Sequence, residues 1–508
     1  MANTEVFDVV VIGTGLGGLV SACILVKKGY SVKIIEKNRQ FGGALQTFAF
    51  KKEVFDSCVH YFGSMFPGET QYKIFDYLEV LDVLDLEYYD EDGFDRLQWG
   101  DDKTYVLPQD IKAAQAYLHT LFPHQKQELQ TYFSLLERVA NSFPLYKLAL
   151  GDENTQKEWV QDWDLVSTLQ EIFSDDELIK ILLGNAFLYN GQVDQTPFYE
   201  HALIMYSYFK GAVKIKNGSS HLTKALLSTF HKYGGVSVKN TLVEKIEPLE
   251  EGQVLVIADE LKVMAQNVIY NGNLKQFPSL FEEDVLPKRW TRRIKNAEQS
   301  MSCMMIHTVV EKEKIVYPLS NVYWNSPKSF LKPLNAVGEW PFNLGIYFTE
   351  DRRHPGFTSS MTILAYIDPS VFEEFFPKEV LAEKDFDDLA SSEKYEALKK
   401  EKAEAILDLL GRQFPELRKY ILDYQVASPV TMKKYLNYEE GTMYGIIKDS
   451  RFLLKNTFLS QSPLNNVWLT GQDVGMHGVL GVSITAIHTV MNILGLDKGM
   501  DLLKEIRA

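Results

Sequence analysis

An α/β fold is predicted, in which a parallel-sheet domain is interrupted by an inserted α+β domain. Three observations carry the prediction. An apolar strand, Val9-Val10-Val11-Ile12, runs into Gly13-Thr14-Gly15-Leu16-Gly17-Gly18 and then a helix. A second strand follows and ends at Glu36. At the far end of the chain the same logic returns, with a strand from Asn466 to Thr470, a turn at Gly471-Gln472-Asp473 and an apolar helix from Gly478 to Leu494.

Each residue type in the N-terminal unit meets a need of dinucleotide binding. Gly13 lets the chain turn sharply out of the strand, Gly15 lets backbone N–H groups approach a pyrophosphate, and Gly18 lets the helix pack on the strand. The helix N-terminus adds the positive end of its dipole. Leu19, Ala22, Cys23 and Val26 recur at helical spacing, Lys27 and Lys28 suit the C-terminal end, and Gly29 can close it. Glu36 can accept hydrogen bonds from an unphosphorylated adenosine ribose.

The elements that follow are read in order. Phe48 and Phe50, then Val54 and Phe55, flank a turn at Lys51-Lys52 and suggest a hairpin from Thr47 to Asp56. Residues 69–210 read as mostly helical, with a capping box at Ser174-Asp175-Asp176-Glu177 opening onto Leu178, Ile181 and Leu182. From Gly211, a helix carrying Leu222, Ala225, Leu226 and Phe230 ends at Gly234-Gly235. Strands then follow at Val236 to Lys239, Leu242 to Glu247, Val254 to Ala258 and Asn267 to Tyr270. Residues 286–424 carry strands such as Met301 to Val310 and Leu344 to Phe348, and a charged helix from Glu393 to Leu410. In the C-terminal helix Gly481 and Ser483 permit close approach. The segments 1–68, 211–285 and 425–508 therefore build the nucleotide domain, 69–210 a helical substrate or lid region, and 286–424 the sheet and helix of a substrate domain.

Composition sets the bounds. The 508 residues, 45% hydrophobic and 24% charged, suffice for two or three domains. A net charge of −15 argues against a nucleic-acid footprint, which needs clustered Lys and Arg. Cys23, Cys58 and Cys303 have neither disulfide-framework nor metal-site spacing. Asp8 and four glycines interrupt the apolar stretch from Val6 to Val26, so neither a signal peptide nor a membrane span is expected. The expected location is cytoplasmic, with peripheral contact at the cytoplasmic membrane face. No second strand–GxGxxG–helix unit is present, so a dedicated nicotinamide domain is not expected.

These pieces resemble a known family. The glycine unit, Arg39-x-x-Gly42-Gly43, Phe55-Asp56-Ser57-Cys58-Val59-His60-Tyr61 and Leu469-Thr470-Gly471-Gln472-Asp473 together are similar to the phytoene desaturase, carotenoid isomerase and retinol saturase group of flavoproteins. Internal markers agree in order: Gly211 to Leu222, Asn240 to Ile246, Asn267 to Asn271, and Ser428-Pro429-Val430-Thr431 before Tyr435 and Gly441.

The resemblance implies a Rossmann-like FAD-binding domain of glutathione-reductase and amine-oxidase type. It implies FAD contacts from Gly13, Gly15, Leu16, Gly17, Gly18, Glu36, Lys37, Gly42, Gly43, Val243, Gly471, Asp473, Gly478 and Val479. Among these, Val243 would hold the adenine through its backbone, and Asp473 would bind the pyrophosphate–ribityl region. The helix at Gly478 would face the flavin's pyrimidine edge. Two departures stand out: Asn217-Gly218-Ser219 replaces a common Gly-Gly pair, and His477 stands where the desaturase branch commonly has proline.

The implied substrate is a long apolar polyene or isoprenoid lipid, saturated or desaturated by hydride transfer at the flavin. Saturation also needs a proton, for which His60, His477 and Tyr61 are the candidates. Asp56 is expected to fix its loop. The runs Tyr199 to Phe209 and Met301 to Met305 are expected to be core before tunnel wall. Electrons would pass to or from a quinone, O2 or a carrier protein. Alternatives are a redox-neutral cis–trans isomerase, a non-catalytic flavin protein, and an amine oxidase, whose characteristic lysine no sequence feature singles out.

Overall fold

The computed structural model describes residues 4–101, 103–150, 163–189, 192–332, 337–376, 392–438 and 440–508. Its first sheet has seven strands, in the order Lys245–Pro248, Val254–Ala258, Leu261–Tyr270, Glu5–Ile12, Val32–Ile35 and Val236–Val238, with Val467–Leu469 also paired to Leu261–Tyr270. Glu5–Ile12 runs parallel to both of its neighbours, with Ile12 opposite Tyr270 and Ile35. Val9, Val10 and Val11 are fully buried because helices and loops cover both faces.

The helix Leu16–Lys27 is buried from Leu16 through Val26, well beyond the stripe its spacing predicts. The cause is packing: it lies against the sheet and is wedged between the helices Ser220–Lys232 and Gly478–Leu494. The hairpin forms as Thr47–Phe50 and Glu53–Asp56. Lys51 and Lys52 take φ of 51° and 73°, the left-handed pair that a two-residue hairpin turn requires.

The second sheet also has seven strands, ordered Ile421–Ala427, Ser302–Val310, Thr358–Ile367, Asn343–Glu350, Asn321–Asn325, Asp95–Trp99 and Tyr105–Leu107. The helix Glu393–Gln413 covers one face, setting Ile406, Leu407 and Leu410 against the strand residues Met304, Ile346 and Ile363. The other face presents Cys303, Tyr323, Tyr347 and Tyr366 to the interior shared with the helical region.

The structure departs from the sequence reading at several places. The region 69–210 holds helices, but it also supplies Leu86–Tyr88 and the two strands that finish the second sheet. The strand expected at Leu242 to Glu247 runs Lys245–Pro248. The helix Asp176–Leu183 is capped by Asp175, which accepts from the N–H groups of Glu177 and Leu178, while the Ser174 hydroxyl accepts from Gln125. Among the described residues, no helix is long and apolar enough to cross a membrane.

Candidate functional site

A cavity of about 360 Å³ opens at the carboxyl ends of Glu5–Ile12 and Leu261–Tyr270. Ligands enter open α/β sheets at this end of the strands. Its polar wall is organised around Glu36. One carboxylate oxygen accepts the N–H of Thr14 at 2.9 Å and also the Thr14 hydroxyl; the other accepts the N–H of Asn38 at 2.9 Å. The Thr14 hydroxyl in turn accepts the N–H of Gly42 at 3.0 Å, which fixes the Gly42-Gly43 turn against the glycine loop.

Two helix N-termini meet this cavity. Leu16 and Gly17 line it at one, Gly478 and Val479 at the other. First-turn N–H groups lack intrahelical partners, so both ends offer donors and positive potential to an anionic ligand.

The glycines have a common neighbour that sequence reasoning named only as part of a family marker. A Cβ on Gly15 or Gly17 would lie 2.8 Å from the Asn271 side chain, and one on Gly471 would lie 3.0 Å from it. Asn271, held by its N–H to the Ile12 carbonyl at 2.9 Å, thus packs the two glycine turns together. Gly18 faces the strand, where a Cβ would meet the Gly13 carbonyl oxygen at 2.3 Å.

Gly13, Gly15, Leu16, Gly17, Glu36, Lys37, Gly43, Val243, Gly471, Gly478 and Val479 all line the cavity. Gly18, Gly42 and Asp473 do not, and act through packing and loop geometry. The Asp473 carboxylate accepts the backbone N–H groups of Leu274 and Ile446, each at 2.9 Å, which makes it a brace between loops.

A second cavity, of about 340 Å³, shares Gly478 and Val479 with the first. Its walls are mainly apolar: Phe143, Leu145, Leu203, Ile204, Leu480 and Ile484 contribute. The helix Phe198–Tyr208 is buried throughout, and Tyr199, Leu203, Ile204, Ser207 and Tyr208 from it line this cavity. The run Met301 to Met305 lines neither of the two.

His477 lines the second cavity, next to the shared Gly478, and is buried. Its Nδ1 is 3.2 Å from Glu200 Oε1, its Nε2 is 3.0 Å from the Leu188 carbonyl oxygen, and its ring lies 4.5 Å from that of Tyr444. Lys448, also buried, lines the same cavity; burial pulls its ammonium below the usual lysine range, with Glu200 and Asp473 acting in the opposite direction. Glu200 and Lys448 carry no sequence signal. The first is embedded in an apolar helix and the second in a loop, and only the fold unites them.

His60 and Tyr61 line neither cavity. His60 stacks on Tyr347 at 4.2 Å, its Nε2 has no hydrogen-bond partner among the described residues, and burial pulls its pKa down to about 4. It is therefore neutral at physiological pH and a poor proton donor. The Tyr61 hydroxyl donates to Asp95 at 2.8 Å and lies 2.7 Å from the Tyr323 hydroxyl. Asp95 also accepts from Asn185 and Asn321, and burial raises it to about 7. Asp56 fixes its loop, accepting the N–H and hydroxyl of Ser219 at 2.6 and 2.7 Å. The departure at Asn217-Gly218-Ser219 thus supplies the donor that Asp56 uses.

Residues 11–78 match the NAD(P)-binding Rossmann-like domain family. The all-trans-retinol 13,14-reductase of Macaca fascicularis is 26% identical over 537 residues, covering 94% of this chain and 84% of that protein. The 4,4'-diapolycopene oxygenase of a Methylomonas species is 22% identical over 512 residues, covering 92% and 94%. Among solved structures, an oxidoreductase from Methanosarcina mazei superposes with a TM-score of 0.66 at 17% identity, over 96% of this chain and 99% of that one. Putrescine oxidase bound to putrescine gives 0.63 at 16% identity, over 97% and 100%. Over most of its length the chain is thus similar to all-trans-retinol 13,14-reductases and to carotenoid-modifying enzymes, and it shares its fold with the solved oxidoreductase and putrescine oxidase structures.

Proposed function

We propose that the chain is an FAD-dependent oxidoreductase acting on carbon–carbon double bonds of a long apolar polyene or isoprenoid lipid. One observation carries the reading: a glycine-cradled polar cavity and an apolar cavity meet at Gly478 and Val479. The residues present fit FAD. A Cβ on Gly43 would meet the Gly15 backbone at 3.0 Å, so these two turns close on each other without side chains, and Glu36 and Val243 line the cavity where a ribose and an adenine would be held. Two helix N-termini suit a pyrophosphate and an electron-rich ring edge. Bound there, FAD supplies hydride chemistry to carbon–carbon bonds.

The chain's own residues do the rest. The apolar wall seats the polyene and excludes water. His477, the cavity-lining member of the three sequence candidates, gives a proton when a double bond is saturated. The sequence carries no second strand–GxGxxG–helix unit, and the electrons exchange with a quinone/quinol pair, O2 as acceptor, or a carrier protein.

An absorbance spectrum of the purified protein before and after dithionite, followed by extraction and mass identification of what is bound, tests the reading. Bleachable flavin bands, FAD in the extract and a co-purifying polyene lipid are the expected result. A colourless protein that takes up no added FAD overturns it. Buried Lys448 on the apolar cavity supports one second reading, amine oxidation; FAD reduction by simple amines and not by polyenes would favour it.

A further inference from the structure

The contacts of His477 constrain where its protons sit. A carbonyl oxygen only accepts, so the Nε2 that lies 3.0 Å from Leu188 carries hydrogen. Nδ1 and Glu200 Oε1, 3.2 Å apart in a buried setting, hold one another only if a proton lies between them. Either the imidazolium faces a carboxylate or the neutral ring accepts from a protonated Glu200. In both states the pair stores one proton beyond that of a neutral imidazole and a carboxylate. Glu200 Oε2 is buried with no hydrogen-bond partner among the described residues, so no other donor competes for this carboxyl.

The other ionisable groups around the pair are Lys448 from the loop after Ile446, Tyr444 beside the ring, and Tyr189 and Tyr199 near Glu200. Lys448 is the cation of this set, and it also faces Asp473. A buried lysine on an apolar cavity wall is costly without an anion. The carboxylate left on Glu200 once the stored proton departs is such an anion.

We infer that Glu200, His477 and Lys448 form one proton-holding unit, in which Glu200 is the positioning residue that keeps His477 charged with a proton for the apolar cavity and Lys448 balances the carboxylate left behind. The inference rests on the proposed reduction of a carbon–carbon bond. In that step the Nε2–H bond, turned from the Leu188 carbonyl to the substrate, breaks and a C–H bond forms, while Nδ1 keeps its contact with Glu200. The electron pair is that of the double bond, whose other carbon takes up hydride from the reduced cofactor, and solvent restores the proton to the pair.

Nitrogen-15 histidine NMR of the FAD-loaded protein, with His477 assigned through His477→Gln, reads the unit without substrate. The unit predicts that Glu200→Gln lowers the His477 titration midpoint by about one pH unit or more, and that Lys448→Met raises it. A single-turnover assay of dithionite-reduced protein with a polyene lipid reads the consequence. Glu200→Gln is expected to slow product formation about 100-fold, with the pH profile following the shifted midpoint and FAD content unchanged.

A His477 midpoint that stays in place in both variants overturns the unit, as does a shifted midpoint with an unchanged rate and profile. If the wild type forms no product at all, the reaction reading fails and the NMR arm decides the unit alone: opposite shifts sustain it and their absence overturns it. If Glu200→Gln does not fold, the direction of the Lys448→Met shift decides.

Discussion

The carboxylate of Glu36 accepts the backbone N–H of Thr14 at 2.9 Å, so the acid that ends the second strand also sets the shape of the first glycine turn. Substituting it removes the proposed ribose acceptor and loosens the turn together. Glu36→Ala is predicted to weaken FAD binding about 10-fold or more, read by flavin titration of the apoprotein. An unchanged affinity would remove Glu36 from the cofactor site.

Gly15→Val places its Cβ 2.8 Å from the Asn271 amide, a contact that Asn271, wedged between two glycine turns, has little room to relieve. The variant is expected to purify with almost no flavin, checked by the ratio of flavin to protein absorbance. The cause is disruption of the Asn271 wedge, before any direct clash with pyrophosphate.

Asp473→Ala behaves differently. It leaves two buried backbone N–H groups, those of Leu274 and Ile446, without acceptors, at a cost of about 1–3 kcal/mol each. A lower Tm is expected, while FAD content at low temperature stays near that of the wild type. Loss of flavin with an unchanged Tm would return Asp473 to the cofactor contacts.

The glycine turns, the hairpin at Lys51-Lys52 and the helix Gly478–Leu494 were legible in the sequence because each is dictated locally. Left-handed backbone, apolar run and helix start lie within a few residues of one another. The strands Asp95–Trp99 and Tyr105–Leu107 were not, since they are short and the first takes its place only by pairing with Asn321–Asn325, far along the chain, while the second pairs with the first. The same reason hid Glu200 and Lys448. The N-terminal cradle was therefore readable from sequence, whereas the ionisable partners of His477 were visible only in three dimensions.

Asp95 makes stability depend on pH. Its native pKa, raised to about 7 by burial, lies above the ordinary carboxyl value, so the native state holds the proton more tightly than the unfolded chain. Its contribution is fully present below the unfolded value and is lost as pH rises through about 7. Asp95→Asn, which mimics the protonated acid, should therefore gain Tm relative to wild type at pH about 8 and show a smaller difference near pH about 5. Equal Tm differences at both pH values would show that Asp95 is ionised throughout.

The sequence carries one strand–GxGxxG–helix unit, so NADPH is not the expected reductant. Anaerobic mixing of the FAD-loaded protein with micromolar NADPH should leave the flavin spectrum unchanged over minutes, whereas a reduced quinone should bleach it. Rapid bleaching by NADPH alone would contradict this.

The most direct test of the central claim is an anaerobic single turnover in which dithionite-reduced, FAD-loaded protein meets a conjugated polyene lipid. The account predicts that oxidised-flavin absorbance returns as the polyene band shifts to shorter wavelength, and that the product is two mass units heavier. Flavin that stays reduced beside an unaltered polyene, or a product of unchanged mass, would contradict it.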